Sequence, residues 1–176
     1  HAAAVAAFGH VDVLVNNAGI GRLGWLEELD AARVDGQLAL NLEATIHLSR
    51  LVVGDMLARR SGHIVNIASI AGLSSLSAHS PHYSATKGAV IAFTRSVAAE
   101  VAGANVFVNA IAPGYIDTEM VQAVPPDVLQ KIVARIPVGR LGHAEEIARG
   151  VAFLVADEGG FITGSTLSIN GGQHMY

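Results

Sequence analysis

A tyrosine and a lysine spaced four residues apart, Tyr83 and Lys87, lie in the stretch "HYSATKGAV". Residues at positions i and i+4 are neighbours on one face of a helix, so these two side chains can meet. A tyrosine with an ordinary pKa of about 10 is a poor acid at neutral pH, but a nearby positive charge favours its ionised form. The spacing therefore indicates a pair in which Lys87 lowers the pKa of Tyr83.

By itself, this spacing is more often found in a half-buried tyrosine beside a solvated lysine. The residues around the pair favour a functional site. Ser69 closes a predicted strand just before this helix, and "NNAG" (16–19) closes another. Because ligands of parallel sheets bind beyond the carboxyl ends of the strands, we expect these residues to converge on one crevice. The stretch "APGYIDT" (112–118), after a third strand, should join them.

Short apolar runs that end in polar or glycine residues predict strands buried in a parallel sheet. They cover residues 11–19, 62–69, 105–114 and 165–172. Helices are predicted at about 30–60, at 81–102 with Ser80 as N-cap and Pro81 in the first turn, and at 127–135 and 144–156. The first ten residues resemble the tail of a helix. Strands alternating with helices predict right-handed βαβ units and an α/β sheet covered on both faces.

The composition is that of one globular domain. The 176 residues are 51% hydrophobic and 15% charged, and their net charge is −4 with scattered basic residues. This balance excludes a basic nucleic-acid-binding surface, and no apolar run reaches the roughly 20 residues that span a bilayer. The chain has no cysteine, which is compatible with a reducing compartment. We therefore expect a cytoplasmic protein that binds neither nucleic acid nor membranes.

Six motifs occur in the order found in the short-chain dehydrogenases/reductases, and the chain resembles this family over essentially its whole length. They are "NNAG" (16–19), "NLEA" (41–44), "NIAS" (66–69), "YSATK" (83–87), "NAIAPG" (109–114) and "INGG" (169–172). The resemblance implies one partial Rossmann-fold domain over residues 1–176, with a doubly wound parallel sheet. It also implies an NAD(P)-dependent oxidoreductase that transfers hydride between nicotinamide and a carbonyl or alcohol carbon.

The resemblance assigns a role to each of four residues. Tyr83 would be the general acid in reduction and the base in oxidation. Lys87 would hold the nicotinamide ribose and lower the pKa of Tyr83, and Ser69 would donate a hydrogen bond to the substrate oxygen. Asn41 would hold a water that relays protons from Lys87; the alternative is an asparagine that satisfies helix backbone at a kink.

The same resemblance implies the residues that contact cofactor and substrate. Cofactor contacts are expected from the turn after the first strand, from the tyrosine–lysine pair and from the segment after the third strand. These residues are Asn16, Asn17, Ala18, Gly19, Ile20, Tyr83, Lys87, Pro113, Gly114, Ile116 and Thr118. Ser69, Tyr83 and Tyr115 are expected to contact the substrate. The resemblance slightly favours NADP over NAD.

One part of the family pattern does not occur in this chain. The glycine-rich turn that binds the cofactor phosphates is absent, as is the later residue that chooses between NAD and NADP. The stretch "GIGRLG" (19–24) does not replace it, because the family match places this stretch in the loop after "NNAG". We therefore expect a sheet without its first βαβ part, as in the catalytic and C-terminal portion of a larger enzyme.

The C-terminal half is most similar to acetoacetyl-CoA reductases and 3-oxoacyl-[acyl-carrier-protein] reductases, through "PGYIDTEMV" and "INGGQHMY". This similarity implies reduction of a 3-oxoacyl thioester such as acetoacetyl-CoA. The loop before Tyr83 has Ser, Ala and His where the acetoacetyl-CoA enzymes carry glutamines. Another ketone, sugar or steroid-like alcohol therefore remains an alternative substrate, and an inactive fragment that only associates with family members is a second alternative.

His79 and His82 are close enough in sequence to suggest metal ligands, but no third ligand stands at a suitable spacing. We expect no metal site and place both residues at the mouth of the pocket. His143 is expected on the surface at a helix start. The family resemblance also implies a homodimer or homotetramer built through the long helices and the last strand.

Overall fold

Within the residues that the computed structural model describes (1–22, 24–74 and 80–175, without the side chains of Met120 and Glu158), four parallel strands form one sheet. Their order across the sheet is β1-β2-β3-β4. The strands comprise Val13–Asn16 (β1), Gly62–Ile67 (β2), Val106–Pro113 (β3) and Thr166–Ile169 (β4). Each lies within a predicted strand, and the parallel α/β fold is confirmed.

Within the described residues, one α-helix precedes the first strand, and six more α-helices with several shorter helical turns connect the strands. The α-helices are Ala2–Phe8 (α1), Ala31–Leu38 (α2), Ala44–Arg59 (α3), Pro81–Val101 (α4), Glu119–Gln122 (α5), Pro126–Val133 (α6) and Ala144–Val155 (α7). The predicted long helix at 30–60 consists of α2, a π-helical turn at Ala39–Glu43, and α3. In the described part of the chain, no helix is both long and apolar enough to cross a membrane.

Alternate residues of the two central strands face different helices, as the pleat of a strand requires. Ile64 and Val108 pack in one cluster with residues of α3 and α4. Val65 and Ile111 point to the opposite face and pack against Leu154 of α7. The sheet is therefore covered on both faces, as predicted.

The connection through α7 corrects one prediction about handedness. All four strands advance in the same direction across the sheet, and α3 and α4 lie on one face while α7 lies on the other. Two connections that advance in one direction but cross on opposite faces have opposite hands. The prediction of uniformly right-handed βαβ units is therefore wrong. The reason is that α7 buries Leu154 against the face that α3 and α4 leave free.

Buried asparagines join strands and helices near the carboxyl ends of β1 and β2. Asn16 Nδ2 donates to Asn66 Oδ1 at 2.8 Å and to Ser49 Oγ of α3 at 3.2 Å. Asn66 Nδ2 in turn donates to Thr94 Oγ1 of α4 at 2.9 Å. This network fixes both long helices against the sheet where the polar strand ends begin.

The start of α4 differs from the prediction in one detail. Pro81 is its first residue, as expected, but the Ser80 hydroxyl does not cap the helix. It donates instead to the backbone oxygen of Arg22 at 2.9 Å. The Ser80 backbone, at φ −152° and ψ 55°, is outside the extended conformation that an N-cap residue normally adopts. The serine therefore fixes a loop rather than a helix end.

Candidate active site

Tyr83 and Lys87 lie on one face of α4, one turn apart, as their spacing predicts. Lys87 Nζ is 5.9 Å from the centre of the Tyr83 ring; Lys87 is buried and Tyr83 is half-buried. Ser69 forms a side-chain hydrogen bond with Tyr83. Ser69 follows β2, whereas Tyr83 and Lys87 belong to α4. The structure therefore brings together three side chains from two separate elements.

Ser69 is positioned by the short helical turn that follows β2. It is the N-cap of the 3₁₀ helix Ile70–Gly72, and its Oγ accepts a hydrogen bond from Ala71 N at 3.1 Å. Gly72 packs directly on the backbone of α4, because a Cβ at this position would lie 2.6 Å from the carbonyl carbon of Lys87. A glycine at position 72 therefore permits the close approach that brings Ser69 to Tyr83.

The ammonium group of Lys87 is held by the backbone at the end of β2. Its Nζ donates to the backbone oxygen of Ile67 at 2.7 Å, and the residue is only 5% exposed. Burial disfavours the charged form and lowers the pKa of Lys87 to about 8. The side chain thus still carries its charge at neutral pH, within an environment that makes the charge unfavourable.

The pKa of Tyr83 corrects an expectation. Burial raises the pKa of Tyr83 above its ordinary value, and the hydrogen bond with Ser69 lowers it by a smaller amount. The sequence predicted a lowered pKa caused by Lys87, but in this structure the lysine donates to Ile67 and burial is the largest influence on the pKa of Tyr83. Tyr83 is therefore protonated at neutral pH.

Asn41 lies in the π-helical turn between α2 and α3, a distortion often found at functional sites. Its Oδ1 accepts from Ile20 N at 2.8 Å, and its Nδ2 donates to Ile20 O at 2.9 Å and to Thr86 Oγ1 at 3.2 Å. The amide thus binds both backbone groups of the loop after β1 rather than those of its own helix. The Asn41 backbone oxygen accepts from Thr45 Oγ1 at 3.3 Å. A water relay at Asn41 stays a prediction.

Gly19 brings the loop after β1 next to the lysine. A Cβ at this position would lie 3.2 Å from Asn41 Oδ1 and 3.5 Å from Lys87 Nζ. The missing side chain leaves room for a ligand group beside the ammonium, so these residues fit a cofactor that is held by backbone and lysine. Asn17 and Ala18 are exposed at the same edge. Asn16 is different, because its side-chain amide is used in the buried network with Ser49 and Asn66.

The segment after β3 reaches the same edge of the sheet. Ala68, next to Ser69, donates from its backbone N to Ile111 O of β3 at 2.7 Å. Gly114 N donates to Ile169 O at 2.9 Å, and a Cβ on Gly114 would lie 2.9 Å from Asn170 Cα. The predicted cofactor and substrate residues of this segment are therefore close to the carboxyl ends of β3 and β4. They are Pro113, Gly114, Tyr115, Ile116 and Thr118.

Tyr115 and Ile116 also line a cavity of about 120 Å³. Its other walls come from the segments on either side of α7, including Val138 and Arg140. Ile116 pairs with Gly142 in an isolated parallel bridge. Within the described residues, no hydrogen bond joins this cavity to Tyr83 or Lys87, so a substrate contact of Tyr115 stays a prediction.

Two residues differ from or extend the sequence interpretation. Thr86 is buried and accepts from Asn41 while it donates to Tyr83 O at 2.8 Å; its place inside "YSATK" is the only signal that could have marked it.

His82 was expected at the pocket mouth but is only 8% exposed, on the face of α4 that carries Thr86. Four-residue spacing from Thr86 predicts that face. His79 lies outside the described residues.

Comparisons with known proteins identify relatives of this chain. The protein-family model described as "Enoyl-(Acyl carrier protein) reductase" matches residues 1–174. The 3-oxoacyl-[acyl-carrier-protein] reductase FabG of Salmonella typhimurium is 43% identical over 170 residues, which are 97% of this chain and 69% of that protein. The acetoacetyl-CoA reductase of Shinella zoogloeoides is 46% identical over 169 residues, 96% of this chain and 70% of that protein.

Among solved structures, "ElxO with NADP Bound" matches with a TM-score of 0.91 and 37% sequence identity, covering 98% of this chain and 71% of that one. The family match therefore spans nearly the whole described chain, and relatives above 40% identity cover the same region. The chain belongs to the short-chain dehydrogenase/reductase family of NAD(P)-dependent oxidoreductases.

Proposed function

We propose that the protein reduces a 3-oxoacyl thioester, such as acetoacetyl-CoA, to its 3-hydroxyacyl form with NAD(P)H. The observation that carries this proposal is the meeting of Ser69, Tyr83 and Lys87 at the carboxyl edge of the sheet. A hydroxyl donor, a protonated phenol and a buried cation are the groups that carbonyl reduction requires around the substrate oxygen.

The chemistry divides between the cofactor and these side chains. Nicotinamide, when bound, supplies the hydride that adds to the carbonyl carbon. Tyr83 gives its phenolic proton to the carbonyl oxygen, and the burial that raises its pKa keeps this proton in place at neutral pH. Ser69 donates a hydrogen bond to the same oxygen and stabilises the negative charge that develops there.

Lys87 and Asn41 support this proton transfer. The hydrogen bond to Ile67 O fixes the ammonium group of Lys87, where it would hold ribose hydroxyls of a bound cofactor and would favour the tyrosinate left after proton transfer. Asn41 fixes the backbone of Ile20 on the other side of the lysine, and it holds the water that returns a proton toward Tyr83.

The proposed cofactor is NADP, with NAD as the alternative. A structural relative of this chain was solved with NADP bound, and the room beside Gly19 supports binding at the same strand edge. Backbone and side chains from the turn after β1, from α4 and from the segment after β3 would hold it. These residues are Asn17, Ala18, Gly19, Ile20, Tyr83, Lys87, Pro113, Gly114, Ile116 and Thr118, with Asn16 supporting the turn from behind.

The names of the relatives support the substrate class. The names 3-oxoacyl-[acyl-carrier-protein] reductase and acetoacetyl-CoA reductase both denote a 3-oxoacyl thioester as the substrate, and both proteins match this chain. The family description names an enoyl thioester instead. Another ketone, sugar or steroid-like alcohol remains the alternative substrate, because the loop before Tyr83 has Ser, Ala and His where the acetoacetyl-CoA enzymes carry glutamines.

A substrate assay tests the proposal. The purified protein is incubated with NADPH or NADH and with acetoacetyl-CoA, crotonyl-CoA or a simple ketone such as ethyl acetoacetate. We expect cofactor oxidation with acetoacetyl-CoA, faster with NADPH than with NADH. Turnover of crotonyl-CoA alone would indicate an enoyl reductase. Tight cofactor binding without turnover of any substrate, or no cofactor binding, would support the alternative of a non-catalytic protein that acts by association.

The proposal includes self-association as a homodimer or homotetramer. Helix α3 leaves Leu48 and Leu51 exposed, at 40% and 48%, on the side away from the sheet. Exposed apolar residues that share one helix face are typical of interaction surfaces. Sedimentation velocity checks this: we expect a dimer or larger for the natural protein and a smaller species for Leu51→Glu. An unchanged assembly in that variant would remove α3 from the interface.

A further inference from the structure

Buried polar side chains recur at intervals of four or eight residues along the α2–α3 segment and α4. A spacing of four places them on one face of each helix, so they line the seam where the two segments pack. We call this row the polar seam; it consists of Gln37, Asn41, Thr45 and Ser49 on one side and His82, Thr86 and Thr94 on the other.

Hydrogen bonds define which residues of the polar seam face each other. Asn41 bonds directly to Thr86. Ser49 and Thr94 both bond to the asparagine pair that joins β1 to β2. From the first pair to the second, each chain segment advances by eight residues, so the two segments run in the same direction. One turn before Asn41 and Thr86, the residues that face each other are therefore Gln37 and His82.

The loop after β1 supports this placement. Arg22 N donates to Gln37 Oε1 at 3.1 Å, and Arg22 O accepts from Ser80 Oγ at 2.9 Å, two residues before His82. The Gln37 amide and the start of α4 thus flank the same residue, and α2 packs against α4. Because a backbone N–H only donates, the oxygen of Gln37 faces Arg22, and the orientation of its nitrogen is fixed as well.

Three polar atoms of Gln37 and His82 have no protein hydrogen-bond partner among the described residues. Gln37 is fully buried and its Nε2 makes no hydrogen bond there, while both ring nitrogens of His82 are likewise unbonded at 8% exposure. A buried polar group without a partner is strongly destabilising. Proteins satisfy such groups with ordered water where no side chain reaches them.

We propose that Gln37 and His82 enclose a buried water-binding site. The water accepts from Gln37 Nε2 and donates to the imidazole nitrogen that carries no proton, while the other ring nitrogen, on the opposite side of the ring, donates to a second water. This hydration links α2 to α4 one turn ahead of the Asn41–Thr86 hydrogen bond. It also fixes the amide that holds Arg22, three residues after Gly19. The inference concerns the folded protein and does not depend on which reaction it catalyses.

A high-resolution crystal structure of the unmodified protein provides the direct test. We expect an ordered water within hydrogen-bond distance of Gln37 Nε2 and of one His82 nitrogen. A direct hydrogen bond between the two side chains, or an apolar contact with no water density, would overturn the proposal.

A double-mutant cycle tests the same link in solution. Gln37→Met and His82→Phe are expected to lower the thermal midpoint by about 3–10 °C each, because each leaves the water and the other side chain without a partner. The double variant should lose at least about 3 °C less than the sum, since neither water-facing side chain is then left unpaired, and the lost hydrogen bond from Arg22 N is already counted in Gln37→Met. The matched control combines Gln37→Met with Thr94→Val, three turns away from His82, where the losses should add. Additive losses in the first cycle would also overturn the proposal.

Discussion

The side-chain nitrogen of Lys87 lies 5.9 Å from the centre of the Tyr83 ring, yet its hydrogen bond goes to the backbone of Ile67. Burial shifts the two pKa values in opposite directions, raising that of Tyr83 and lowering that of Lys87 to about 8. As the pH rises, Lys87 therefore loses its proton before Tyr83 does. At neutral pH, Tyr83 therefore keeps its phenolic proton and Lys87 keeps a positive charge that burial makes unfavourable. Both groups are available for carbonyl reduction.

The buried charge of Lys87 should appear in the pH dependence of stability. Its pKa is about 8 when folded, against an ordinary value of 10.5, so the unfolded chain binds more protons between these values and stability rises with pH across this window. Relative to Lys87→Met, the natural protein should gain on the order of 2–3 kcal/mol in unfolding free energy from pH 7.5 to pH 10. Denaturant unfolding at both pH values measures this gain. The exposed Lys131→Met variant is the control, and an equal slope in natural and Lys87→Met proteins would contradict the assignment.

Gly72→Ala should separate Ser69 from Tyr83. The added Cβ would lie 2.6 Å from the Lys87 carbonyl carbon and 2.7 Å from Gly88 N. Both are backbone atoms of α4, so the clash can be relieved only by moving this helix or the turn that contains Gly72. We expect a loss of about 1–3 kcal/mol in stability and a fall in kcat of at least about tenfold. Gly36→Ala is the matched control, because nothing lies within 4 Å of its Cβ and alanine favours a helix. Equal kcat values in the two variants would argue against this role of Gly72.

Asn41→Ala should release the loop that follows β1. The substitution leaves both backbone groups of Ile20 and the Thr86 hydroxyl without their amide partner, which costs about 2–4 kcal/mol in total. Because Gly19 is part of the same loop, cofactor affinity should fall by about tenfold or more. Isothermal titration with NADPH measures it. Thr86→Val, which removes the hydroxyl that accepts from Asn41 Nδ2 and donates to Tyr83 O but leaves the Ile20 contacts, should weaken binding much less; comparable affinities for the two variants would be inconsistent with the loop assignment.

His63 should make the protein less stable in mild acid. Burial lowers the pKa of His63, with smaller opposing effects of Asp157 and of a backbone hydrogen bond at Leu154. A group with a folded pKa below its unfolded pKa binds more protons when unfolded, so stability is lost as the pH falls below about 6.5. His63→Phe preserves the ring contact with Phe107, 5.3 Å away, and should reduce that loss. Thermal midpoints at pH 7.5 and 5.5 check this; an unchanged drop in the variant would count against His63.

Much of this architecture could be predicted from the sequence, because apolar runs and helical periodicity determine which segments are buried. The spacing of Tyr83 and Lys87 likewise predicted that their side chains would meet. The pKa of Tyr83 could not be predicted, since spacing gives proximity but not the depth of burial or the diversion of Lys87 to Ile67. The π-helical turn at Asn41 and the opposite hand of the connection through α7 were also missed. Both depend on packing between distant elements, and no local residue pattern marks them.

The central claim is that Tyr83 transfers the proton, and Tyr83→Phe tests it most directly. Phenylalanine keeps the ring beside Lys87 and removes only the hydroxyl group that bonds to Ser69. The measurement is single-turnover oxidation of NADPH with acetoacetyl-CoA, together with the NADPH dissociation constant of the same variant. We predict a loss of at least about 10³-fold in the rate of chemistry, with the dissociation constant within about threefold of the natural protein. A rate close to that of the natural protein would contradict the account.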